Sequence, residues 1–220
     1  FDILQQRMNK PLVYVIIVNW NGRTFLDDCL GSLLESTYSN TRFCLVDNGS
    51  SDDSVEYVNQ HYSSQNKIEV LELGKNLGWS GANNAAIRHA LSRKAEYLFL
   101  LNNDTVTDPK AIELLVQRAE TEPEIGALAP KILFAQNPSI INSLGIECSC
   151  IGSAWDRAIG RLDNPRWDKS LPVVGGCGAA LFIRAEALRR VGFFADHFGI
   201  YLDDVDLCLR LWNAGYRVET

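Results

Sequence analysis

Four apolar runs in this chain end in the same kinds of residue. "VIIV" closes on Asn19-Trp20-Asn21-Gly22 and "RFCLV" on Asp47-Asn48-Gly49-Ser50. "IEVLEL" runs to Lys75-Asn76, and "EYLFLL" delivers Asn102-Asn103-Asp104. Asn and Asp bond their own backbone in turns and tolerate left-handed conformations, so a turn accounts for any one of these. Four in succession point to a ledge of hydrogen-bonding groups at one end of a sheet. An Asp on such a ledge accepts from a base or a ribose. Asp104 could hold a divalent cation, because Mg2+ often takes one or two carboxylates and completes its shell with substrate phosphates and water. Asp203-Asp204, opening a later helix-like stretch, suits general-base chemistry or equally the capping of that helix.

The elements that must position these residues alternate in type. "LVYVIIV" (12–18) is a continuous β-branched run, as expected of a parallel strand covered on both faces. Apolar residues at helical spacing follow, at Phe25, Leu26, Cys29, Leu30, Leu33 and Leu34. The remaining strands are expected at 42–46, 68–73 and "EYLFLL", with "IGALAPKILF" as one more. Between them lie the helices "SSDDSVEYVNQHY" and "SGANNAAIRHALS", and a helix that Asp108-Pro109 starts. This β-α-β-α-β-α-β order predicts an α/β fold, an open and mainly parallel sheet with helices on both faces. The pattern breaks from about 135 to 172, predicting a long excursion over the rim of the sheet. "GCGAALFI" resumes as a strand, "RAEALRRVG" as a short helix, and "DDVDLCLRLWNAGY" as a helix stopped by Gly215. One domain over 12–220 is expected, after a polar, partly disordered lead-in at 1–11.

Composition narrows the function classes. A net charge of −6 disfavours binding nucleic acid or anionic lipid through a broad basic face. The longest apolar runs are far shorter than a membrane span, and no secretory leader pattern opens the chain. The six cysteines include no CxxC pair and mostly sit among apolar neighbours, so they read as small core residues of a protein in a reducing cytoplasm. Gly74, Gly78 and Gly81 do not form GxGxxG, and no GxxxxGK[ST] is present, so neither a dinucleotide fold nor a P-loop is signalled. Gly175-Gly176-Cys177-Gly178 permits close backbone approach to a ligand, or marks a bend. Trp79, Trp155 and Trp167 are candidates to stack on a sugar or base, Asp206 reads as structural, and His197 is left without a role.

Taken in order, "VIIVNWNG", "LVDNGSSDDS", "GKNLGWSGANNAAI", "LLNNDT", "GGCGAALFIRAEALRRVGFF" and "YLDDVDLCLRLWNAGYRV" resemble the family 2 glycosyltransferases, which have the GT-A fold. The nearest flavour is that of the bacterial rhamnosyltransferase-like members that build cell-surface polysaccharide. The resemblance implies an inverting transfer of a sugar, with rhamnose a candidate, from a UDP- or dTDP-linked donor to a saccharide or lipid-linked hydroxyl. By the same resemblance Asn102-Asn103-Asp104 takes the family's DxD position with Asn for the first Asp. Asp104 is then the Mg2+ or Mn2+ ligand, and Asn102 lies near the ribose or sugar. Asp47 matches the acid that contacts the base, with Asn19 beside it. Asn21 and Asn103 belong to the same ledge, Lys75 and Asn76 match the nucleotide loop, and Gly176 faces the donor sugar. The ED motif falls on Asp203-Asp204 with Asp for Glu, making Asp204 the expected general base and Asp203 the second choice. Family members continue with a segment carrying a metal-site His, so the chain is expected to be a catalytic-domain fragment, cytoplasmic or at the inner face of the membrane. A nucleotide-sugar-binding scaffold without transfer, or a sugar nucleotidyltransferase, are the rival readings.

Overall fold

The computed structural model describes residues 10–62, 64–195 and 202–220; most of the lead-in, and His197, lie outside the described residues. In chain order the first half runs β1 (Val13–Asn19), α1 (Leu26–Leu34), β2 (Thr41–Asp47), α2 (Ser54–Tyr62), β3 (Ile68–Glu72), α3 (Gly78–Ser92), β4 (Tyr97–Asn102) and α4 (Ala111–Thr121). The second half runs β5 (Ile125–Leu128), β6 (Ile132–Phe134), β7 (Asn137–Ser143), β8 (Ile146–Cys148), β9 (Ala154–Asp156), β10 (Ala180–Arg184), α5 (Ala185–Val191), α6 (Asp203–Asn213) and β11 (Arg217–Glu219). Seven strands form one sheet in the order β11-β5-β10-β4-β1-β2-β3. Only β10 runs against the others, pairing antiparallel with both β4 and β5, so the sheet is mainly parallel as the alternating pattern predicts.

Period-two alternation along the strands sorts side chains onto two filled faces. Tyr14, Ile16, Cys44, Val46, Leu98 and Leu100 pack on one side with α3, α5 and α6. Val13, Val15, Ile17, Phe43, Leu45 and Phe99 pack on the other with α1, α2 and α4. The small residues of α3 have a reason: Ala82, Ala86 and Ala90 recur every fourth position, are fully buried, and let that helix lie close against the strands. Cys29, Cys44 and Cys208 are buried core residues, and all six cysteines are free. Each buried Leu- or Ile-sized chain contributes ~1.5–3 kcal/mol, so both layers hold the ladder in register. Among the described residues no helix is long and apolar enough to cross a membrane.

Three expectations are corrected. "IGALAPKILF" is two strands, since β5 joins the main sheet while β6 turns away to pair with β7. Pro130 sits between them, and proline has no N–H to continue a ladder. The helix expected from Asp108-Pro109 begins at Ala111; Asp108 instead builds the entry turn, accepting from the Lys110 amide at 2.8 Å and the Ala111 amide at 2.9 Å. The excursion is ordered into two small antiparallel ribbons, β6–β7 and β8–β9. Lys131 fastens it by ion pairs to Asp163 and Asp168 at 2.9 and 2.6 Å. These strands are mostly short and half-buried, with register shifts in β6–β7, so no clean alternation reveals them.

Candidate functional site

Register decides which strand ends meet. Asn19 lies opposite Asp47, and Val18 opposite Asn102, so three ends of the expected ledge share one rim. There Asn103 Nδ2 donates to Asn19 Oδ1 at 2.7 Å, and Asn19 Nδ2 donates to Ser50 Oγ at 3.3 Å. Gly22 closes over this pair; a Cβ on it would fall 2.0 Å from Asn103 Nδ2 and 2.5 Å from Asn19 Oδ1. Asp47, almost fully buried, accepts from the Ser50 amide. Asn21 has φ 52°, and its Oδ1 accepts from the Ser51 and Asp52 amides at 2.7 and 3.3 Å. Its side chain therefore shapes the loop after β2.

The third strand end is brought in by a clamp. Asn48 Nδ2 donates to Asn76 Oδ1 at 3.1 Å, and Asn48 Oδ1 accepts from the Leu77 amide at 2.8 Å. Gly49, at φ 77°, packs so close that a Cβ would lie 2.6 Å from the Lys75 carbonyl carbon. This holds Lys75 at the rim, exposed and, among the described residues, without an ion pair. Asp104 is likewise exposed and, among the described residues, makes no hydrogen bond or ion pair. No group of three or more His, Cys, Asp or Glu suited to a metal gathers among the described residues. A free carboxylate beside amide side chains fits a hard cation that takes its other ligands from phosphate and water.

The acidic pair sits at the start of α6, after Leu202 in a left-handed conformation (φ 69°). Asp203 is buried; Ser80 Oγ of α3 donates to its Oδ2, and its Oδ1 accepts from the Asp204 amide at 3.1 Å. Asp204 is only half-buried. Its Oδ1 accepts from the Val205 amide at 2.8 Å and its Oδ2 from the Gly178 amide at 2.9 Å. Both acids thus also serve the helix N-terminus, where negative charge is favoured. Burial pushes the Asp204 carboxyl above the usual range, the two amides pull it back, and the charges of Asp203 and Asp156 add to the rise. Asp206 bonds Arg210 at 2.9 Å, a pair that ties α6 to the carbonyls of Val191 and Phe193.

Trp79 joins the two halves. Its Nε1 donates to Asn102 Oδ1 at 3.4 Å, its ring meets Phe194 edge-on at 5.0 Å, and a Cβ on Gly178 would lie 3.2 Å from it and 3.4 Å from Asp204 Oδ2. The glycine beside the acids is therefore Gly178. Gly176, expected to face a sugar, packs inward instead, where a Cβ would fall 2.4 Å from Leu181. Trp155 is exposed on β9, whereas Trp167 closes its own turn through Leu162 at 3.2 Å. The sequence reading missed Ser80 and the Asn48 clamp, and within the glycine-rich stretch it singled out Gly176 rather than Gly178. Ser80 looked like one more small helix residue, and nothing local links it to an acid more than a hundred positions away.

Comparison with known proteins identifies the family and the fold. The family model for glycosyl transferase family 2 matches residues 14–191. The N-acetylglucosaminyl-diphospho-decaprenol L-rhamnosyltransferase of Mycobacterium tuberculosis is 29% identical over 229 aligned residues, covering 92% of this chain and 71% of the relative. Among solved structures, the chain resembles the mannosyltransferase PcManGT of Pyrobaculum calidifontis (TM-score 0.70, 18% identity, 96% of this chain and 54% of that one). It also resembles S. aureus TarS solved with UDP-GlcNAc (TM-score 0.68, 14% identity, 94% of this chain and 55% of that one). The chain therefore spans only about half the length of these solved relatives, and its sheet and helices have the GT-A arrangement. Its six ordered motifs, its fold and the family match together make this chain a member of glycosyl transferase family 2.

Proposed function

We propose that this domain transfers a sugar from a nucleotide-diphospho-sugar to an acceptor hydroxyl by a single inverting displacement. The observation that carries this reading is the Trp79 indole, with Asn102 at the ledge on one side and Gly178 and Asp204 on the other. Asp47 and Asn19 line the base and ribose end, with Asn21, Asn76 and Asn103 shaping that rim. Asn102 lies toward the sugar, and Gly176 supports the loop that carries Gly178. Lys75, without an ion pair among the described residues, supplies an ammonium for the diphosphate. Asp104 would hold Mg2+ or Mn2+, which supplies Lewis-acid stabilisation of the leaving diphosphate.

Asp204 accepts the proton of the acceptor O–H. The acceptor oxygen forms the bond to the anomeric carbon while the bond to the diphosphate breaks, its electron pair leaving with the diphosphate. Asp204 is preferred to Asp203 because it is less buried, whereas Asp203 is locked under Ser80. The mycobacterial relative's name specifies an L-rhamnosyl donor group and a diphospho-decaprenol acceptor, and PcManGT was solved with GDP-Man and Mn2+. The relative's name supports rhamnose as the sugar and a lipid-linked acceptor, the Mn2+ complex supports a divalent cation, and TarS with UDP-GlcNAc supports a UDP-linked donor, with dTDP the alternative nucleotide; work at the cytoplasmic face of a membrane is part of the same proposal. A thermal-shift screen of nucleotide sugars with and without Mn2+ tests donor and metal together, because a ligand bound only by the native state raises its stability. Stabilisation by a nucleotide sugar that is lost with chelator is the expected result; no response to any nucleotide sugar overturns the reading.

A further inference from the structure

The mechanism above leaves a half-buried acid unused. β9 carries Asp156, which lies opposite Ile146 of β8. Ile146 in turn is bonded to the loop before β10: its amide donates to the Gly175 carbonyl at 2.6 Å, and its carbonyl accepts from Val174 at 3.1 Å. Along that loop the Cys177 thiol meets Asp156, and the next residue, Gly178, donates to Asp204. Asp156 therefore lies beside Cys177, the residue before the one that bonds Asp204. Asp156 Oδ1 is closed off from solvent and has no hydrogen-bond partner, a costly arrangement for a carboxylate oxygen. The neighbouring Arg157 turns away to Glu147 at 3.3 Å, and among the described residues no cation pairs with Asp156.

We propose that Asp156 is a positioning residue of the transfer site, a carboxyl group behind the Cys177-Gly178 loop that acts on the acceptor hydroxyl through Asp204. This rests on Asp204 being the base. Among the described residues, the titratable or charged groups around Asp204 are few. Its own helix supplies Asp203, Cys208 and the Asp206–Arg210 pair; α3 supplies only the uncharged Ser80 and Trp79; the loop and β9 supply Cys177 and Asp156. Burial pushes the Cys177 thiol up to about 11, so it stays neutral and leaves Asp156 as the charge on that side.

A base must be ionised to act, so transfer falls as pH drops through its pKa, and removing a neighbouring negative charge moves that fall to lower pH. The test is a 13C NMR titration of the Asp204 carboxyl, assigned with Asp204→Asn. It is paired with kcat/KM against pH, using dTDP-rhamnose and N-acetylglucosaminyl-diphospho-decaprenol. Asp156→Asn and Asp156→Ala should both lower the midpoint measurably, and Asp156→Glu should keep it near wild type. An unmoved midpoint in the folded Asn and Ala variants overturns the proposal, even where kcat drops. Full transfer by Asp204→Asn refutes the base assignment instead, and the NMR midpoint still judges the coupling to Asp156 by itself.

Discussion

Gly22→Ala puts one methyl group where the amides of buried Asn19 and half-buried Asn103 meet. The Gly22 backbone, at φ −111° and ψ 24°, suits alanine, so the whole effect comes from space. The new Cβ would lie 2.0 Å from Asn103 Nδ2 and 2.5 Å from Asn19 Oδ1. Asn103, only partly buried, can swing aside, but that breaks its 2.7 Å bond to Asn19. Asn19 is fully buried and has nowhere to go. Overpacking of this kind costs ~1–3 kcal/mol and an orphaned buried acceptor ~1–3 kcal/mol. With partial relaxation, a combined loss of about 2–4 kcal/mol lowers the melting temperature by roughly 5–15 °C in a domain of this size. Donor affinity should fall with it, because the same pair sets the nucleotide rim. Removing the obstructing side chain in Gly22→Ala/Asn103→Ala should recover part of the loss, giving a coupling of ~0.5–3 kcal/mol in a double-mutant cycle by urea melts. Strict additivity of the two single changes would refute the packing argument.

Asp104→Asn should abolish the metal-dependent part of nucleotide binding while leaving the melting temperature unchanged, since the carboxylate is exposed and unengaged; calorimetric titration of UDP and dTDP with Mn2+ checks it. Asp204→Asn should keep donor affinity and lose transfer by ~10²-fold or more, with Asp203→Asn losing less through chemistry and more through stability; equal, mild losses would favour a helix-capping role for both. Because burial raises the folded Asp204 pKa, that residue stabilises the fold at low pH, and this contribution is lost as pH rises through the folded pKa. At pH 8 Asp204→Asn should therefore melt no lower than wild type, a point thermal melts across pH decide. Ser80→Ala removes the hydroxyl that bonds buried Asp203 and should cost ~1.5–3 kcal/mol with donor affinity unchanged; a wild-type urea midpoint would show that bond to be immaterial.

The strand–helix alternation and the polar cap on each strand were legible in the sequence because both are local. A β-branched run such as "LVYVIIV" needs cover on both faces wherever it lies, and Asn, Asp and Gly announce a strand's end by their own chemistry. The family motifs carried the ledge and the acids further, since their order survives without coordinates. Pairings between distant segments were not legible. That Asn103 bonds Asn19, that Asn48 grips the loop after β3, and that Ser80 lies under Asp203 follow only from strand order and helix docking. Gly176 and Gly178 are two positions apart in one glycine-rich stretch, yet one packs on Leu181 and the other faces Asp204. The backbone path alone separates them. The ribbons at 132–156 stayed hidden because their strands are mostly short and only half-buried, burying too little on one face to leave a periodic trace. It is those ribbons, folded back onto the loop before β10, that bring Asp156 to the loop whose Gly178 bonds Asp204.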